Sequence, residues 1–98
     1  MATKTFDCYE DPGHGWVKVP LKLLAELRIY HMISNYSYMR GEFAYLEEDN
    51  DAYLLVTRLK SQFCEVKFRG HHSDKQSKIR NYHSYDSTKI DWHSCKVH

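Results

Sequence analysis

The sequence holds no Cys-x-x-Cys pair, no specific catalytic or cofactor motif, and no apolar run approaching the ~20 residues that cross a bilayer. Its three cysteines, Cys8, Cys64 and Cys95, are odd in number and widely spaced, which argues against a disulfide framework or a zinc ribbon and for reduced thiols. Residues 1–10 lack the apolar segment of a signal peptide, so the expectation is a soluble, cytoplasmic protein with no membrane partner. Ninety-eight residues make one domain with a small core. Few residues can be spared to line a deep, dry catalytic pocket, and a binding surface is expected rather than an enzyme.

Charge is present in both signs but divided along the chain. Residues 1–51 carry 5 basic against 9 acidic side chains, and residues 52–98 carry 9 against 4, beneath a net charge of +1. The acids peak at Glu42, Glu47, Glu48, Asp49 and Asp51; Arg58, Lys60, Lys67, Arg69, Lys75, Lys78 and Arg80 follow. Overall attraction to nucleic acid is therefore weak, with local attraction left open.

Asp11-Pro12-Gly13-His14 reads as a turn, with Pro at its second position and Gly at the third for the positive φ of a type II turn. Trp16 to Val19 alternates as a strand, Pro20 marks the switch to a helix over 20–28, and Leu23, Leu24 and Leu27 give that helix its apolar face. Strands at 33–38 and 42–47 flank Met39-Arg40-Gly41 as a hairpin. Asp49, Asn50 and Asp51 are cap candidates for a second helix, in which Ala52, Leu55, Val56, Leu59 and Phe63 keep helical spacing. Cys64, Val66 and Phe68 then alternate with Glu65, Lys67 and Arg69 as a strand. The order β-α-β-β-α-β predicts an α+β fold: an antiparallel sheet with both helices on one face, over residues 1–70. Residues 71–98 form a polar, His- and Tyr-rich tail, partly ordered and draped over the domain.

His14 has no carboxylate, serine or cysteine at a recognisable spacing, so a turn residue packed on Trp16 is the simpler reading than an acid or base. His71-His72-Ser73-Asp74 and His93-Ser94-Cys95 with His98 have the ligand types for a metal but no recurring spacing; no metal or cofactor is expected. In "RGEFAYLE", residues 40–47, Phe43 and Tyr45 share one face of a strand, beside Tyr36 or Tyr38. With Lys67 and Arg69 they make the alternative site, an RNA or single-strand binding surface of the kind that stacks bases on strand aromatics. Glu42 shifts that register and the following acids oppose it. The acidic stretch also reads as a phosphate mimic that competes for a basic nucleic-acid channel on another protein, or as ordinary capping of a helix.

The stretches "DPGHGW", "VP", "ISNYSYMRGE" and "AYLEEDNDA" resemble a small protein family of tailed bacteriophages, prophages and plasmids, over about residues 9–82. The resemblance implies a mobile-element origin and action inside a host cell, and it carries over no catalytic residue. Small proteins of this origin resemble inhibitors of host defence, among them anti-CRISPR proteins, which bind a nuclease complex stoichiometrically. The partner implied is a host protein complex such as a CRISPR-associated nuclease. Tyr36, Tyr38, Met39 and Arg40, at the hairpin, with Glu47, Glu48 and Asp49, are the residues expected to bind it.

Overall fold

Alternating Trp16-Val17-Lys18-Val19 forms strand β2 (Gly15–Pro20) in the computed structural model, which describes residues 2–97. Val17 and Val19 point to one face and Trp16 and Lys18 to the other, as a pleated strand requires. Pro20 closes β2 and caps α1 (Leu21–Glu26), whose Leu21, Leu23 and Leu24 are buried. This helix is shorter than the expected 20–28, and Arg28 takes a left-handed φ of 57° just beyond it.

The expected strand over 33–38 begins later. Tyr30–Met32 is one 3-10 turn, residues 33–37 are irregular, and β3 is Tyr38–Arg40, paired with β4 (Phe43–Glu47). The hairpin loop is therefore Gly41-Glu42, not residues 39–41. Gly41 at φ 60° takes the first loop position, which favours glycine in such two-residue turns. Helix α2 (Asp51–Ser61) buries Ala52, Leu55 and Leu59, and β5 (Cys64–His72) extends three residues beyond the expected strand.

Five of the six expected elements are present, the strand expected at 33–38 is displaced to Tyr38–Arg40, and an unforeseen strand precedes them all. β1 (Ala2–Glu10) pairs antiparallel with β2 and parallel with β5, from Ala2 opposite Cys64 to Glu10 opposite His72. With β6 (His83–Ser84) the sheet order is β5-β1-β2-β4-β3-β6. The fold class is α+β, with α1 and α2 on one face. The sheet is mixed rather than wholly antiparallel, because β1 is inserted between the first and last of the expected strands and runs alongside β5. Lys4, Asp7 and Glu10 interrupt the apolar signal of β1, yet Phe6 is buried in the core and Cys8 packs against it.

The C-terminal segment contributes to both faces. Tyr85 and Ile90 enter the helix-side core, and β7 (Ile90–Asp91) pairs with β8 (Lys96–Val97). On the opposite face, Ile79 packs with Trp16 and Tyr45, flanked by Tyr9, Tyr38, Phe43 and Tyr82. Among the described residues no helix is long and apolar enough to cross a membrane.

Candidate interaction surface

Asp51, the first residue of α2, does not cap the helix with its side chain. Its buried carboxylate turns to the 33–37 loop and accepts from the Ser34 N–H, the Ser34 hydroxyl at 2.6 Å and the Ser37 hydroxyl at 2.5 Å. The Ser37 oxygen in turn accepts from the Glu47 N–H at 2.9 Å, and the Ser37 carbonyl accepts from the Tyr85 N–H. One buried set of hydrogen bonds thus ties the loop to the start of α2 and the end of β4. Nothing in the types of Ser34 and Ser37 marks them as site residues; their interruption of the aromatic strand pattern at 33–38 is the signal that points to them.

This set fixes a corner of the surface. Tyr36, next to Ser37, is 72% exposed, and Glu47, bonded to Ser37, leads into exposed Glu48 and Asp49. The Glu48 N–H donates to the Gly15 carbonyl at 3.0 Å, which holds the acidic turn against the start of β2. Of the residues expected to bind a partner, Tyr36, Glu47, Glu48 and Asp49 adjoin this hydrogen-bonded set along the chain, with the Glu48 carboxylate turned toward Gly15 and Glu10. The other three do not. Met39 is 1% exposed in the helix-side core and is unavailable to any partner. Arg40, opposite Phe43, lies at the far end of β4, roughly 13 Å from Glu47 by strand rise, and stacks on Tyr82. Tyr38 is half-buried edge-on against Trp16 on the other face.

Phe43, Tyr45, Lys67 and Arg69 do share the helix-free face of the sheet, but the aromatic part of that face is covered. Tyr45 is buried under Tyr82, with ring centroids 5.1 Å apart, and burial pushes its hydroxyl up to about 12. The Arg80 guanidinium lies over Trp16, and Lys18 sits 4.2 Å from the centre of the Phe43 ring. Arg69 and His71 both approach Asp7, whose carboxyl is held below its ordinary value first by the His71 hydrogen bond. Lys67 is exposed. A base cannot stack on Tyr45 while residues 77–82 lie across it.

The turn that begins with Asp11 holds this cover in place. Asp11 accepts from the Gly13 and His14 N–H groups, from the Ser77 N–H, and from Arg80 Nε and Nη2 at 2.8 and 2.9 Å. The Arg80 bonds, foremost among these, hold its carboxyl far below the carboxylate range. Gly13 does not have the positive φ expected of a type II turn. Its lack of a side chain serves a close approach instead, since a Cβ there would lie 2.9 Å from Arg80 Nη2. His14 is exposed and tilted against Trp16 at 6.0 Å.

Among the described residues no three His, Cys, Asp or Glu side chains are placed to hold a metal ion. His71 stacks on Tyr9, His72 lies 3.5 Å from Asp74, and His93 is exposed; His98 lies outside the described residues. No family model, curated protein or solved structure matches the chain.

Proposed function

We propose that this chain is a non-enzymatic binding module that inhibits a host defence complex by direct contact, as its resemblance to phage and prophage proteins implies. The reading rests on the corner formed by Tyr36, Glu47, Glu48 and Asp49. A buried polar set fixes the backbone on either side of those residues before any partner arrives, so the loop need not be ordered on binding. An exposed tyrosine beside adjacent carboxylates complements a basic surface, and the occupant we assign is the nucleic-acid channel of a CRISPR-associated nuclease complex. The carboxylates then compete for the Lys and Arg groups that would hold a phosphate backbone.

Mixed with such a purified complex, the protein co-elutes at a fixed ratio and reduces target binding. Glu47→Lys combined with Glu48→Lys weakens the association by ~10-fold or more, and added salt weakens the wild type more than the variant. Undiminished inhibition by the correctly folded double variant would remove this corner as the contact surface. The nucleic-acid reading is not favoured, because Tyr45 is sealed beneath Tyr82.

A further inference from the structure

Strand β1 places Phe6, Cys8 and Glu10 on the helix side of the sheet, and its parallel partner β5 sets Phe68, Gly70 and His72 beside them. Gly70 brings no side chain to this row, and a Cβ built there would meet nothing within 4 Å. The space it leaves is part of an apolar groove of about 410 Å³ between α2 and the sheet. Cys8 and Val17 line it from the sheet, Ala52 and Val56 from α2, and Phe68 from β5. Tyr53, 71% exposed, borders it from α2.

One end of this groove is acidic. Glu10 lies two residues beyond Cys8, roughly 7 Å along β1, and Glu48 reaches the same end from the β4-α2 turn. The two meet over Gly15, where a Cβ would collide with the Glu48 carboxylate and lie 3.4 Å from Glu10 Cγ. Neither glutamate makes an ion pair among the described residues, and both are exposed. Burial pushes the Cys8 thiol above its ordinary value, and the Glu48 and Glu10 charges push it the same way, so both carboxylates act within the groove. An apolar trough that ends at two carboxylates matches a side chain with an aliphatic stem and a cationic head.

We infer that the groove receives an arginine side chain projecting from the basic surface of a partner protein, an inference that rests on the reading of the acidic corner as a contact surface. The arginine methylenes lie along Cys8, Val56 and Phe68, where apolar surface leaves water on both sides. The guanidinium lies between Glu10 and Glu48. Its N–H donors are numerous enough to serve two carboxylates at once, and it is more weakly hydrated than a lysine ammonium, so it leaves water at smaller cost. A nucleic-acid backbone would meet the same two charges as repulsion, so the occupant is protein. Glu10 thereby joins the contact surface from a different strand than the acidic run.

The test is a titration of the full chain with the peptide N-acetyl-Ala-Arg-Ala-amide, followed by two-dimensional amide NMR, beside the same peptide carrying neutral citrulline in place of arginine. The arginine peptide should bind saturably in the millimolar range and shift the amides of Cys8, Glu10, Gly15, Glu48 and Gly70. The citrulline peptide should bind more weakly by ~10-fold or more. Gly70→Leu fills the groove and should abolish the saturable shifts, and Glu10→Gln should weaken binding by ~3-fold or more. Both positions are exposed and neither has a left-handed backbone, so the fold should persist, which the dispersion of the same spectra checks. Equal binding of the two peptides, no saturable shifts at these amides, or arginine binding indifferent to both substitutions would overturn the inference. Against a nuclease complex, full inhibition by Gly70→Leu with loss of inhibition in the Glu47→Lys, Glu48→Lys variant would overturn the groove and keep the corner. Arginine-specific binding by a protein that contacts no such complex would keep the groove and remove the nuclease as its partner.

Discussion

Asp11 is 6% exposed and remains ionised because five donors converge on its two oxygens. Since its folded value lies below the ordinary 3.8, the stability it supplies is fully present above that pH. It is lost progressively as pH falls toward the depressed value. Asp11→Asn should therefore lower Tm clearly at neutral pH, and the gap between variant and wild type should close on acidification below about pH 4. A constant gap from neutral to acid pH would mean that the carboxylate charge is not what holds Arg80. Ser37 gives a second residue-scale expectation. Ser37→Ala leaves the Asp51 carboxylate and the Glu47 N–H each short of a partner and should cost about 1–3 kcal/mol, read from the urea midpoint with the slope m unchanged. Neither role is written in the residue type. Asp11 reads as a turn former and Ser37 as a strand interruption until their distant partners are in place.

At the scale of elements, the strands and helices follow their side-chain periods, and departures occur where a side chain has a tertiary partner. Residues 33–37 have the aromatic and branched composition of a strand, but their serines bond to Asp51 and the backbone follows them. Helix α2 ends at Gln62 and Phe63 because Phe63 turns left-handed. Phe63→Gly should relieve that strain and raise stability by about 1 kcal/mol. In contrast, Gly41→Val in the β3-β4 turn should destabilise by a similar or larger amount, since its φ of 60° suits glycine and a branched side chain does not fit it. Thermal melts of the two variants shifting in the same direction would contradict this account. Strand β1 shows the limit of local pattern. Its charged residues dilute the apolar signal, and it is made a strand by having β2 on one side and β5 on the other.

For the whole molecule, residues 77–90 determine what the two faces of the sheet offer. Ile79, Arg80 and Tyr82 cover Trp16 and Tyr45 on one side, and Tyr85 and Ile90 complete the core on the other. A chain ending at Asp74 should therefore lose cooperative unfolding, and Trp16, by then its only tryptophan, should emit at longer wavelength than in the folded full-length protein. An unshifted emission with a sharp melt would show that the segment is an accessory to the fold. The division of charge along the chain also acquires meaning at this scale, since it separates an acidic corner at the β4-α2 junction from the mixed charges along β5.

Local pattern by itself determined the α+β class, five of the six elements it marked, and the acidic run of Glu47, Glu48 and Asp49. Side-chain period and turn chemistry operate over a few residues, so they are visible in the chain as written. Only the tertiary structure decided that Met39 is core, that Tyr36 joins the acidic corner, and that Tyr45 is covered. Those outcomes rest on contacts such as Asp11 with Arg80, 69 residues apart, whose geometry exists only after β1, β2 and the C-terminal segment have come together.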